Sequence, residues 1–161
     1  MFGISPFGWL HALGSLPAIP AAAYMFIRYG RIAPKTTSGV IYLVAMIIGS
    51  LSVFLVAKTP VSNVAAVITL IVLGVGYTAD RYTFLGRRQK YLKTFCLTFS
   101  VLLLMVPTVS EILRRVPDGH PIASGTDDPI IKAALGVLAL IFILGVSTQF
   151  IFLHRKAAKA G

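Results

Sequence analysis

Five long apolar stretches without a Lys, Arg, Asp or Glu dominate this chain of 161 residues. They cover residues 8–27, 39–57, 61–79, 94–110 and 133–153. An α-helix rises 1.5 Å per residue, so about 20 apolar residues cross the roughly 30 Å hydrocarbon core of a bilayer. The sequence therefore predicts an all-α, polytopic transmembrane bundle of five helices that forms a single membrane domain. The predicted helices cover about residues 8–28, 39–57, 61–80, 92–114 and 129–154.

The composition supports lipid as the solvent. Charged residues make up 12% and hydrophobic residues 57% of the chain, against about 25% and 45–50% in soluble domains. Too little polar surface remains to coat a water-soluble globule. The single cysteine, Cys96, excludes an intramolecular disulfide and a Cys-x-x-Cys site.

The basic residues fall mostly on one side of the predicted helices, and Lys and Arg accumulate in short cytoplasmic loops. Eleven of the fifteen lie in the first loop, the third loop and the tail: Arg28, Arg31, Lys35, Arg81, Arg87, Arg88, Lys90, Lys93, Arg155, Lys156 and Lys159. The other side holds Lys58, Arg114, Arg115, Lys132, Glu111, Asp118, Asp127 and Asp128. We therefore expect the amino terminus outside and the carboxyl terminus in the cytoplasm. The net charge of +10 then indicates topology and attraction to anionic lipid, not nucleic-acid binding.

Polar residues within or beside the spans are the candidate binding residues, because burying them in hydrocarbon is costly. His11, Glu111, Arg115 and His120 belong to the outer side, where they could form a ligand site, with His11 and His120 as metal ligands. The alternatives are an interfacial histidine and a Glu111–Arg115 pair along one helix. Haem is a further possible cofactor. His11 and His154 lie a membrane thickness apart, so a haem needs His11 with Met105, His120 or another chain's ligand.

On the inner side Tyr24, Tyr42, Tyr77 and Gln149 fall at comparable depths on four helices. They could line a pocket for a quinone or another amphipathic ligand. The tyrosines also fit the aromatic belt found at membrane surfaces. Both interpretations remain open at this point.

Several local signals predict how the helices begin, bend and pack. Pro17 and Pro20 predict a kink or unwound turn in the first helix. Asp127 and Asp128 before Pro129 predict a helix start, after a long loop at residues 114–129. The small residues Ala45 and Gly49, and Ala133, Gly136 and Ala139, predict close helix contacts, either within the chain or between chains. The basic and aromatic residues 77–93 predict a segment lying on an anionic leaflet.

The amino-terminal third also carries a resemblance. His11 early in the first helix, the turn Arg28-Tyr29-Gly30-Arg31, and Gly39-Val40-Ile41-Tyr42 opening the second helix resemble a family of uncharacterised bacterial multi-pass membrane proteins. That family's pattern usually places a histidine beside the arginine ahead of the Gly-x-x-Tyr element, where this chain has Lys35, Thr36 and Thr37. The resemblance covers roughly the first 60 residues and implies a fold without an activity.

The function expected from these patterns is that of a binding or accessory subunit without a catalytic centre of its own. No Ser/His/Asp set, phosphate-binding loop or metal-ligand spacing is present in the sequence. The subunit would act in a homo-oligomer or a larger complex in a cell membrane, the inner membrane if the source is bacterial. The alternatives are a ligand-, metal- or haem-binding redox protein using His11, and a transporter or channel.

Overall fold

A computed structural model describes residues 6–57, 59–117 and 119–158, and over those residues the fold is entirely helical. Lys58, Asp118 and Lys159, for which the sequence predicts a side of the membrane, lie outside the described residues. The helices are α1 (Pro6–Ser15), α2 (Ala18–Tyr29), α3 (Thr37–Val56), α4 (Pro60–Thr78), α5 (Arg88–Arg115) and α6 (Pro129–Ala158). Two short 3-10 turns, Ala79–Arg81 and Thr83–Leu85, connect α4 to α5.

Five helical segments in the described part of the chain are long and apolar enough to cross a membrane. The first is Pro6–Tyr29, which combines α1 and α2, and the third runs from Pro60 to Arg81. The number and order of spans agree with the sequence prediction. The described fold is therefore all-helical, and its five long apolar helices are compatible with a multi-pass membrane protein.

The first span is broken where the prolines predict it. Leu16 and Pro17 separate α1 from α2, and the Ile19 amide donates to the Leu16 carbonyl in an i→i+3 bond. Proline lacks an amide hydrogen, so the regular i→i+4 pattern cannot continue through this point. Farther on, Gly30 ends α2 with a φ of 66°, a left-handed conformation that glycine adopts without a Cβ penalty.

Two helices extend about one full turn beyond their predicted ends. α5 begins at Arg88 instead of about residue 92, and α6 continues to Ala158 instead of about 154. Both extensions carry Arg and Lys, which are good helix formers and can continue a helix past the hydrocarbon into the head-group region. The hydrocarbon-length rule that set the predicted ends does not detect these turns.

The helices pack in chain order. α1 and α2 lie on α3, and the series continues from α3 to α4, α5 and α6. The buried core is centred on Met25, Tyr42, Leu73 and Leu97. We use the name basic end for the end of the bundle formed by residues 28–36, residues 79–93 and the last turns of α6.

Glycines set the closest helix contacts. A Cβ added to Gly49 would lie 2.8 Å from the Ser15 Cβ, and one added to Gly14 would lie 2.6 Å from Cγ2 of Ile48. Ala45 is buried on the same face of α3 as Gly49. The predicted pair Ala45 and Gly49 thus serves packing within the chain.

Candidate functional site

Tyr42 is the most completely enclosed of the predicted inner residues. Its side chain is 0% exposed, and its hydroxyl lies 2.7 Å from the Oγ of Ser100 on α5. The Ser100 hydroxyl donates to the Leu97 carbonyl at 2.7 Å, so the Tyr42 hydroxyl is the donor in the bond between them. Tyr42 therefore connects α3 to α5 inside the core and is not part of a surface belt.

Gln149 and Tyr77 make two further links near the basic end. The Gln149 amide nitrogen donates to the Gly30 carbonyl at 2.8 Å, and its oxygen accepts from Thr98 at 2.9 Å. The Tyr77 hydroxyl donates to the Gly39 carbonyl at 2.6 Å. These polar groups are engaged with the chain's own atoms, which gives them a role in helix association.

Tyr24 differs from the other three inner residues. Its side chain is exposed on α2, with its ring edge-on to Tyr29 at a centroid distance of 6.3 Å. An exposed aromatic pair near the end of a span is typical of the membrane interface. Of the four inner candidates, Tyr24 has the surroundings expected of the aromatic belt.

His11 contacts α3. Its Nδ1 lies 2.8 Å from the Ser52 Oγ and 3.1 Å from the Gly49 carbonyl. A carbonyl only accepts, so Nδ1 carries the hydrogen and Nε2 is the nitrogen left for a ligand. Ser52 donates its own hydroxyl hydrogen to the Gly49 carbonyl at 2.9 Å, which leaves its oxygen free to accept from His11.

The remaining outer candidates lie at the end of α5 and in the loop beyond it. Glu111 pairs with Arg115 and, at 3.2 Å, with Arg114, and His120 is exposed in a turn closed by its amide on the Pro117 carbonyl. Within residues 6–57, 59–117 and 119–158, no hydrogen bond or ion pair joins His11 to Glu111 or His120. The same residues contain no group of three or more His, Cys, Asp or Glu placed to hold a metal.

The long loop ends in a well-formed helix cap. Asp128 accepts hydrogen bonds from the Ser124 amide and hydroxyl and from the Ile130 amide, each at 3.0 Å. This confirms the capping role predicted for Asp128, whereas Asp127 is an exposed partner of Lys132 at 4.0 Å. The Ser124 amide, followed by the Ile130 amide, lowers the pKa of the Asp128 carboxyl below its ordinary value.

Acidification is expected to loosen this cap. Because the folded pKa of Asp128 is lowered, its stabilising contribution is present at neutral pH and is lost as the pH falls through that pKa. We expect Asp128→Ala at neutral pH, and the unaltered protein under acid, to lose hydrogen-exchange protection in the first turn of α6. Asp127→Ala is the matched control. Equal loss in both variants would contradict the assignment of the cap.

A cavity of about 150 Å³ opens at the basic end. It lies between the α2–α3 turn and the second turn of α5, and its walls include Arg31, Lys35 and Lys93. The loop charges were recognised in the sequence, but the residues that enclose this cavity were not predicted as a site. The only available signal was that the first and third loops are both basic and lie on the same side.

One exposed face of α6 combines small or polar residues with large aliphatic ones at helical spacing. Its members are all exposed and follow one another at intervals of three or four: Ala133, Gly136, Leu140, Leu144, Ser147 and Ile151. A Cβ added to Gly136 would meet no atom within 4 Å. In contrast to Gly49, Gly136 thus makes no close packing contact among the described residues of this chain.

Comparison of the chain with protein-family models, with curated proteins and with solved structures finds no match in any of the three.

Proposed function

We propose that this chain is a non-catalytic binding or accessory subunit of a membrane assembly, and that it associates through the exposed face of α6. The simplest partner is a second copy of the same chain, since a face that pairs with itself forms a closed dimer. The amino terminus lies outside and the carboxyl terminus in the cytoplasm, in accordance with the bases at the basic end.

The observation that carries the proposal is how little of α6 the chain itself covers. Of the residues in its apolar middle, 11% are buried, against 39% in α3. Lipid can solvate apolar side chains on such a helix. It does not explain why Gly136 and Ser147 lie on the exposed side.

Small residues have a specific use in membrane helices. Hydrophobic burial gives little driving force between helices in lipid, so association depends on close packing and interhelical hydrogen bonds. Gly136 allows a neighbouring backbone to approach, and the Ser147 hydroxyl can bond across an interface. The α6 face therefore has the composition of a helix-packing surface.

Replacing Gly136 by leucine tests the association. Inserting a side chain into a packed interface costs about 1–3 kcal/mol, so we expect the dissociation constant to rise by about fivefold to 150-fold. Single-molecule photobleaching in liposomes over a range of protein-to-lipid ratios measures the constant.

Gly74→Leu is the matched control, because Gly74 is also an exposed helical glycine whose added Cβ would meet nothing within 4 Å. It lies on α4, away from the proposed interface, and should leave association unchanged. A protein that stays monomeric at every density, or two variants that behave alike, would overturn the proposal.

A further inference from the structure

The cavity at the basic end has a polar rim and an apolar floor. The turn of residues 31–36 forms one wall, and Lys93, Thr94 and Leu97 of α5 form the other. Ile32 and Leu97 are 3% and 1% exposed, so the floor is apolar and almost completely buried. An occupant would therefore sit at the mouth and place its charged group among the side chains of the rim.

Positive charge predominates around this cavity. Arg31, Lys35 and Lys93 line it, and Asp80 is the carboxylate beside it. The Asp80 Oδ2 lies 2.7 Å from the Lys93 Nζ and 3.7 Å from the Lys35 Nζ. One carboxylate can balance one of three cations, which leaves an excess of two positive charges at the rim.

Arg31 is the cation available for a ligand. It makes no hydrogen bond or ion pair with another described residue, whereas Lys93 is held against Asp80 and its side chain is only 21% exposed. A planar guanidinium can bind two oxygens of a phosphate at once. Lys35, whose side chain is 86% exposed and whose Nζ lies 3.7 Å from Asp80, is more accessible than Lys93.

The backbone adds to the attraction for an anion. Thr36 lines the cavity and caps α3, accepting a hydrogen bond from the Gly39 amide at 3.0 Å. The amino-terminal end of α3 is thus directed to the cavity, and the positive end of a helix dipole favours negative charge. This contribution is secondary to the three cations.

We propose that this cavity binds the phosphate group of an anionic phospholipid, with Arg31 and Lys35 as the principal phosphate ligands and Lys93 as a fixed positive charge beneath them. Basic pockets between transmembrane helices are suited to lipid head groups. The cavity lies where α2 ends and α3 begins, and lipid phosphates occupy this level of the bilayer. A phospholipid is always present there at high local concentration, which favours it over a soluble phosphate.

The site is separate from the α6 face, so either proposal can fail without the other. It also goes beyond a general attraction of basic loops to anionic membranes. Lipid binding by general attraction depends on the number of charges near the surface, whereas lipid binding at a site depends on which particular charges are present. That difference defines the experiment.

The test compares two double variants with the same change in charge. Arg31→Gln with Lys35→Gln removes two rim cations, and Arg87→Gln with Lys90→Gln removes two exposed basic-end cations that do not line the cavity. Native mass spectrometry of the full chain in neutral detergent measures binding of phosphatidylglycerol, with phosphatidylcholine as the uncharged reference. We expect the rim variant to lose phosphatidylglycerol affinity by about tenfold or more and the control by much less.

Competition by inorganic phosphate shows whether the cavity binds a lipid phosphate or a free phosphate ion. If an excess of phosphate fails to displace phosphatidylglycerol from the unaltered protein, the lipid assignment is supported. Displacement at phosphate concentrations below those of the lipid would overturn it in favour of a soluble anion. An equal loss in both double variants, or no loss in the rim variant, would overturn the site itself, and an unchanged elution profile in detergent verifies that each variant is folded.

Discussion

Gly39→Ala is expected to destabilise the protein by about 3 kcal/mol, because the new methyl group would meet backbone atoms that cannot rotate away. Its Cβ would overlap the Ala33 carbonyl oxygen and lie 2.8 Å from the Pro34 oxygen. The Ala33 carbonyl accepts a hydrogen bond from the Thr36 hydroxyl at 2.8 Å, and Thr36 in turn caps α3. Moving the turn would therefore also weaken the cap, which is itself worth about 1 kcal/mol.

Gly74→Ala is the control for this substitution. Gly74 is helical and exposed, and an added Cβ there meets nothing within 4 Å. Alanine favours helix over glycine by up to about 1 kcal/mol, so this variant should be neutral or slightly more stable. Thermal unfolding in detergent, followed by loss of the monodisperse elution peak, should show a lower midpoint for Gly39→Ala alone. Equal midpoints would contradict the close contact.

The spans were predictable because the bilayer imposes a length and a composition. Every helix that crosses it needs about 20 apolar residues, whatever its neighbours are. Proline chemistry located the break at Leu16–Pro17, and the Asp-Pro sequence located the start of α6. These signals are local, so a single sequence contains them in full.

The partners of the polar residues were not predictable in the same way. The sequence predicts a site of His11 with Glu111 and His120 because it places all three on one side of the membrane, yet His11 contacts Ser52 and Gly49. The depth of a residue in the membrane follows from its position along a span, whereas the helix that it contacts follows from three-dimensional packing. The same limit hid the links from Tyr42 to Ser100 and from Gln149 to Gly30.

These contacts give the Gly39-Val40-Ile41-Tyr42 element a structural role in helix packing. Gly39 makes room for the α2–α3 turn, and its carbonyl accepts the hydroxyl of Tyr77 on α4. One turn later, Tyr42 reaches Ser100 on α5. A short stretch of α3 thereby holds the turn, α4 and α5 together, and the turn forms one wall of the basic cavity.

Tyr42→Ala should produce the second large effect, a loss of about 2 kcal/mol or more. In lipid, little of the cost comes from apolar transfer, since the unfolded helices remain in an apolar solvent. The cost comes from the cavity and from lost contacts of a side chain that is 0% exposed. Loss of the hydrogen bond to Ser100 contributes less, because double-mutant cycles in a membrane protein give interhelical hydrogen bonds an average of about 0.6 kcal/mol.

Tyr42→Phe separates the two contributions. It keeps the ring and removes only the hydroxyl, while the Ser100 hydroxyl retains its own bond to the Leu97 carbonyl at 2.7 Å. We expect Phe to cost well under half as much as Ala in the free energy of unfolding, measured by titration with a denaturing detergent. If Phe costs as much as Ala, the hydroxyl bond and not ring packing joins α3 to α5. The core would then depend on a polar link.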